Sequence, residues 1–284
     1  MTPQHVRFRD HFGLPECVRD WGLPAPTALR NFWTDVDGLR THSRSTLRRD
    51  DKSPFILVHG LAISSLYFIP LAESLARRAT VHALDLPGYG RSAKPARPLD
   101  APGLADFIAQ WMETIGLERC HIVGNSFGCQ IAAEFATRHA SLTETVTLIS
   151  PTVDPSAPTV WRQAQRLLRD MPNEPARLWF NHLVDDFRAG PRFILGGARA
   201  MMENHIEFNL PHIAAPTLIL RGERDPIVPD RWARQAASLL THGRLTTIPG
   251  GSHCVHYAAP DSTAQAIFDF IDHLESISDV RLCA

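Results

Sequence analysis

Three residues far apart in the chain have the types and settings that nucleophilic acyl chemistry needs: Ser126, Asp225 and His253. A serine hydroxyl attacks poorly until a base takes its proton, and the base needs a carboxylate to fix its tautomer and stabilise the imidazolium. Ser126 sits in the run Gly124-Asn125-Ser126-Phe127-Gly128. The residues before it are apolar and β-prone, and those after it repeat apolar positions at helical spacing through Ile131, Ala132, Phe135 and Ala136. The spacing predicts a strand over residues 120–124 that turns abruptly into a helix over 129–139, with the serine at the junction. Such a turn crowds the backbone, so positions two residues away on either side have little room for a Cβ, and both are glycine.

The base and its partner are sought where open α/β sheets gather functional groups, in loops at the carboxyl ends of strands. After an apolar strand at 216–220 comes Arg221-Gly222-Glu223-Arg224-Asp225-Pro226, and Asp225 is the candidate acid. Glu223 lies nearer the strand end and is the weaker alternative. After the last strand, at 244–248, the chain reads Pro249-Gly250-Gly251-Ser252-His253-Cys254-Val255-His256. His253 is the candidate general base and acid; His256 competes with it but falls where the next helical turn begins. Serine, aspartate, histidine is the chain order this architecture imposes.

Acyl chemistry also needs donors for a developing oxyanion. The N–H of Phe127, next after the nucleophile at a helix N-terminus, is one candidate. The second is the N–H of Leu61, in the loop His59-Gly60-Leu61 that follows a buried strand at 54–58. His59 itself reads as a structural hydrogen-bonding residue.

The elements that must position these groups alternate. A hairpin around Asp37-Gly38 precedes strands at 54–58, 80–84, 120–124, 145–149, 216–220 and 244–248. Helices over 66–78, 104–115, 129–139, 230–240 and 260–276 lie between or after them. This predicts an α/β fold with a mostly parallel sheet flanked by helices. Residues 152–211 break the rhythm, being helix-like, aromatic and arginine-rich, and read as a cap inserted into a core made of 31–151 and 212–284. Residues 1–30 carry Pro15, Pro24 and Pro26 and read as an N-terminal extension.

Composition narrows the rest. The 284 residues are 44% hydrophobic, enough to bury a full core, and the formal net charge of −1 leaves no broad basic footprint for nucleic acid. The arginine-rich pieces at 44–49 and 162–169 read as solvated faces. No apolar run approaches the ~18 residues that span a bilayer, and the polar start lacks a signal-peptide core, so a soluble cytoplasmic protein is the expectation. Cys17, Cys120, Cys129, Cys254 and Cys283 form no C-x-x-C pair, which argues against a zinc site or a disulfide framework.

With His59-Gly60, the run Asp85-Leu86-Pro87-Gly88-Tyr89-Gly90-Arg91-Ser92, the serine turn, the 222–229 loop and the 250–253 segment, the chain resembles the α/β-hydrolase superfamily over about residues 31–278. The resemblance implies an eight-stranded sheet with a cap between the sixth and seventh strands, and an architectural role for the 85–92 loop. Haloalkane dehalogenases and epoxide hydrolases use an aspartate at the turn, so Ser126 argues against both. Carbon-carbon bond hydrolases usually show a glycine-rich run after His-Gly and a tryptophan after the catalytic histidine. This chain has Leu61-Ala62-Ile63-Ser64 and Cys254 there.

The leading expectation is a serine hydrolase of a small or medium ester, lactone or thioester, working through an acyl-enzyme on Ser126 with no metal or cofactor. Carbon-carbon bond hydrolysis or acyl transfer is the alternative enzyme reading. A ligand-binding receptor with the same fold is the non-enzyme one. The partner expected in every case is a small molecule. Tyr67, Trp161, Trp179 and Phe187 are the candidate pocket walls, and an arginine of the cap is a candidate for binding a substrate carboxylate.

Overall fold

The computed structural model describes residues 29–46 and 53–282. The expected N-terminal extension falls almost wholly outside the described residues, as do Cys17 and Cys283. The chain opens with β1 (Leu29–Val36) and β2 (Leu39–Thr46), joined through Asp37 and Gly38 at φ +50° and +79°. Two residues at positive φ match the right-handed twist of a hairpin, and the Gly38 N–H is held by Asp35 Oδ1 at 2.9 Å.

From there strands and helices alternate: β3 (Phe55–Val58), α1 (Ile69–Leu75), β4 (Val81–Leu84), α2 (Ala101–Ile115), β5 (Cys120–Asn125), α3 (Phe127–Arg138) and β6 (Thr143–Ile149). Then come α4 (Val160–Asp170), α5 (Ala176–Ala189), α6 (Pro191–Glu203) and α7 (Ile206–Asn209), with no strand among them. The chain returns to the sheet with β7 (Thr217–Gly222), α8 (Asp230–Leu239) and β8 (Gly243–Ile248), and ends in α9 (Val255–Ala258) and α10 (Pro260–Leu282). The eight strands form one sheet in the order β1-β2-β4-β3-β5-β6-β7-β8. β1 and β2 run antiparallel, β2 meets β4 antiparallel, and all later pairings are parallel.

Parallel strands covered on both faces are apolar throughout. In β3 the alternation sends Ile56 and Val58 to one face, with Trp111 of α2 and Phe135 of α3. Phe55 and Leu57 go to the other, with Phe68 and with Phe268 of α10. α2 starts three residues earlier than its apolar period suggests, because Asp100 caps it by accepting the Gly103 N–H at 2.9 Å and Pro102 suits the first turn. It stops where Gly116 takes the left-handed conformation at φ +75°. The predicted helix over 66–78 is split, since Ser64 caps a 3-10 turn (Ser65–Phe68) before Pro70 opens α1.

Arg44 departs from the solvated-face expectation. It is buried on β2, reaching the Ser65 hydroxyl and lying 3.6 Å from Asp85. Asp85 also accepts from His42 Nδ1 at 2.8 Å and from the amides of Ser65 and Arg91 at 2.8 and 2.9 Å. Burial opposes its charge, but these donors outweigh burial and hold the carboxyl far below the usual range.

Candidate active site

Ser126 occupies the single residue between β5 and α3 at φ +55° and ψ −118°. That conformation is strained for a residue with a side chain, and the crowding behind it holds it there. A Cβ on Gly124 would fall on the carbonyl oxygen of Gly128, and one on Gly128 would fall on the carbonyl oxygen of Val58. The serine is left half-buried, while its neighbours Asn125 and Phe127 are buried.

Across the sheet, β7 ends at Gly222, where a Cβ would strike the carbonyl of Ser252. The glycine lets the 223–229 loop lie directly against the loop that follows β8. The contact is sewn by Arg224 N–H to Gly251 O at 2.8 Å and by Gly250 N–H to Glu223 Oε2 at 2.8 Å. Glu223 therefore fastens the histidine loop from outside. Asp225 points inward: its Oδ1 accepts from the amides of Ile227 and Val228 at 2.8 and 3.0 Å, which fixes the carboxylate and leaves Oδ2 3.0 Å from His253 Nδ1.

Burial raises the Asp225 carboxyl, but the charge and hydrogen bond of His253 outweigh it and hold the group below the ordinary carboxylate value. Burial likewise lowers His253, and the charge and hydrogen bond of Asp225 outweigh it, with help from Asp170 and Glu174, so the imidazole is raised. An ionised Asp225 accepts from Nδ1–H and leaves Nε2 free as an acceptor. His256 is buried between Tyr67 and Phe68, with ring centroids 4.4 and 4.6 Å away, and burial holds it neutral.

The loop after β3 approaches the serine closely. A Cβ on Gly60 would lie 3.3 Å from Asn125 O and 3.4 Å from Ser126 Cβ. His59 donates from Nδ1 to Gly60 O at 2.8 Å and accepts the Leu86 N–H at Nε2 at 2.9 Å, a neutral tautomer set by backbone on both sides. Among the described residues, neither Leu61 N–H nor Phe127 N–H has an acceptor. A half-buried hydroxyl, a carboxylate-paired imidazole and two open amides on adjacent loops are the groups that addition to a carbonyl uses.

A family profile described as the alpha/beta hydrolase family matches residues 55–266. The chain belongs to that family. The abhydrolase domain-containing protein abhd-5.2 of Caenorhabditis elegans is 35% identical over 104 residues, which are 35% of this chain and 23% of that protein. The chain therefore spans well under two thirds of this relative's length. A putative carbamate hydrolase, RutD, of Caulobacter sp. (strain K31) is 26% identical over 83% of this chain and 96% of its own. Among solved structures, a membrane phospholipase A described as a bacterial virulence factor superposes with a TM-score of 0.74 at 25% identity, covering 88% of both chains. The described part of this alpha/beta hydrolase has no helix long and apolar enough to cross a membrane.

Within this alpha/beta hydrolase, the four residues expected to wall a pocket have different fates. Tyr67 is buried behind the serine turn, where its hydroxyl accepts the Gly60 N–H at 2.7 Å and donates to Asn125 Oδ1 at 3.0 Å. Asn125 Nδ2 in turn donates to Ile149 O at 3.1 Å and His253 O at 3.4 Å. Tyr67 and Asn125 thus tie the three loops together, a role that a variable position of the Gly-x-Ser-x-Gly pattern does not advertise. Trp179 is half-buried, stacks on His182 and donates to Met171 O at 3.2 Å. Trp161 and Phe187 are 71% and 91% exposed, so neither is brought to Ser126. Their helices bury the opposite face, through Asp170 on α4 and Leu178, Asp185 and Ala189 on α5.

Three arginines of this segment are likewise spent on the protein: Arg166 on Asp154 at 2.8 Å, Arg188 near Asp185 at 3.7 Å and Arg199 on Glu203 at 2.7 Å. Cys120, Cys129 and Cys254 are buried, and burial raises all three thiols. Two carboxyl groups, Asp170 and Glu174, lie beside the histidine loop with no signal in the local sequence. Neither lies in a motif, and only the fold of α4 and the turn after it carries them there.

Proposed function

We propose that this protein is a serine hydrolase of small or medium carboxylic esters, lactones or thioesters. His253 Nε2 takes the proton of Ser126 Oγ as the oxygen adds to the substrate carbonyl. The N–H groups of Leu61 and Phe127 receive the oxyanion. Collapse of the tetrahedral intermediate breaks the bond to the leaving group, which takes the proton from His253, and an acyl-serine remains. Water then adds to the acyl carbon, giving a proton to His253. That proton returns to Ser126 Oγ as the carboxylic acid leaves. Asp225 stabilises the imidazolium at each stage and remains a carboxylate. Residues 152–211, carrying α4 to α7, act as the cap over this site, and the rest of the described chain is the core.

The observation that carries this reading is the 3.0 Å contact between His253 Nδ1 and Asp225 Oδ2, made in a chain whose only strand-to-helix elbow holds a strained serine among the described residues. Relatives named as a carbamate hydrolase and an ester esterase agree with carbonyl chemistry. The test is labelling with a fluorophosphonate probe together with turnover of 4-nitrophenyl esters. Labelling confined to Ser126, and a loss of kcat on the order of 10⁴-fold or more in Ser126→Ala, are expected. No labelling and no turnover would leave the receptor reading in its place.

A further inference from the structure

The inserted helices carry apolar side chains in rows on their outer sides. On α4, Trp161 and Leu168 stand seven residues apart and are both more than half exposed. On α5, Phe180, Leu183 and Phe187 stand three and four apart and are also more than half exposed. Those spacings place each set on one side of its helix. Both helices bury the opposite side, and the Trp179 indole of α5 donates to Met171 O at the end of α4, which joins them. The rows therefore face outward, with no described element packed over them.

Cations run beside these rows, and exposed anions do not. Arg162 and Arg169 follow Trp161 and Leu168 by one position, so a charged stripe flanks the apolar one. Among the described residues 156–202, Arg162, Arg169 and Arg192 are exposed and no carboxyl group is: Asp170, Glu174 and Asp185 are buried, and Asp186 is half-buried. Arg162 and Arg169 also line, with Arg166 and Arg231, an open cleft of about 340 Å³. Asp154 takes Arg166 and Arg231 together, and among the described residues Arg162 and Arg169 meet no carboxylate. The cleft keeps an excess of positive charge.

An occupant must answer both features. A soluble polyanion would satisfy the guanidinium groups and leave the aromatic rows in water. A second copy of the chain would cover the rows but set like charge against like. An anionic bilayer surface offers phosphates to the arginines and acyl chains to the apolar rows, and guanidinium groups take phosphate in bidentate pairs. We propose that the outer face of α4 and α5 docks on anionic phospholipid membranes, with Trp161, Leu168, Phe180 and Phe187 entering the acyl boundary and the arginine cleft holding lipid phosphate. At 11 and 14 residues the two helices are too short to span a bilayer, so they lie in its interface.

Co-sedimentation of the full chain with vesicles tests this without any turnover, so its outcome is independent of the serine-hydrolase reading. The wild type should partition onto vesicles of phosphatidylcholine and phosphatidylglycerol in equal parts about tenfold or more better than onto phosphatidylcholine alone, and salt should weaken the difference. Arg162→Gln/Arg169→Gln should lose about tenfold or more on the mixed vesicles, at roughly one surface charge interaction per arginine. Trp161→Gln/Leu168→Gln should lose about tenfold or more on both vesicle types, since two exposed apolar side chains no longer enter the bilayer. Arg244→Gln, an exposed arginine at the start of β8, should bind like the wild type. No sedimentation of the wild type, or equal losses in all three variants, overturns the proposal. Two further measurements would reassign the face. A dimer in analytical ultracentrifugation that Trp161→Gln/Leu168→Gln dissolves gives it to a second copy, and calorimetric heat with sodium phosphate but no vesicle binding makes the cleft a soluble-anion site; either result overturns membrane docking.

Discussion

The missing side chain of Gly124 and the carbonyl oxygen of Gly128 occupy the same space, so the strand that delivers Ser126 and the helix that leaves it meet backbone to backbone. Gly124→Ala should therefore cost about 3 kcal/mol or more, because rigid backbone must move to admit the methyl group. Gly38→Ala, at φ +79° in the open hairpin with no atom within 4 Å, should cost only about 1 kcal/mol of backbone strain. Urea midpoints of the two variants at equal slope check the contrast, and similar losses would contradict it.

The charge balance around His253 sets the pH dependence. A raised imidazole must lose its proton before it serves as base, so kcat/KM should rise through an apparent pKa above 6.5. Asp170→Asn removes a negative charge that favours the imidazolium, so the acidic limb should move to lower pH. Asp225→Asn should lower kcat by about 10⁴-fold, since the amide no longer fixes the tautomer. Rate profiles from pH 5 to 9 with a neutral 4-nitrophenyl ester test all three, and an acidic limb that does not move in Asp170→Asn would remove that carboxyl from the histidine's surroundings.

Much of this site was legible because its residues lie in motifs tied to backbone necessity. Glycines at 124 and 128 mark a turn that admits no side chain, and strand-end loops carry Asp225 and His253, so both the order and the placement follow from local sequence. The strands were legible for a related reason: a buried parallel strand such as Phe55–Val58 is apolar at every position. The helices of 152–211 were legible as helices but not in orientation. An aromatic residue on an amphipathic helix has the same signature whether it faces substrate or water, and Phe187 faces water. Asp170, Glu174 and the buried Arg44 were illegible, because their burial depends on partners distant in the chain.

Stability should respond to pH through two buried carboxyls of the inserted helices. Asp170 and Asp185 move, chiefly by burial, from 3.8 to about 7 and about 6. Between those limits the folded chain binds more protons than the unfolded one, so their contribution to stability falls as pH rises. Asp170→Asn should flatten the decline in Tm between pH 5 and 8, and Asp170→Asn/Asp185→Asn should flatten it further. Thermal melts across that range test the sign; a Tm that falls equally in wild type and double variant would assign the decline elsewhere.

Asp85 carries the opposite sign and a different role. Its carboxylate gathers His42, Arg44, Ser65 and the Arg91 amide beneath the loops, and it is fully buried without contact to Ser126 or His253. Its folded value lies below the ordinary 3.8, so the stability it contributes is complete above that value and is lost as pH falls below it. Asp85→Ala removes the shared acceptor of several buried donors, and should cost about 3 to 5 kcal/mol. The folded fraction that remains should still react with the fluorophosphonate at the wild-type rate per molecule, because the residue holds the scaffold and touches no reacting atom. A variant that keeps its stability but labels slowly would instead place Asp85 in the chemistry.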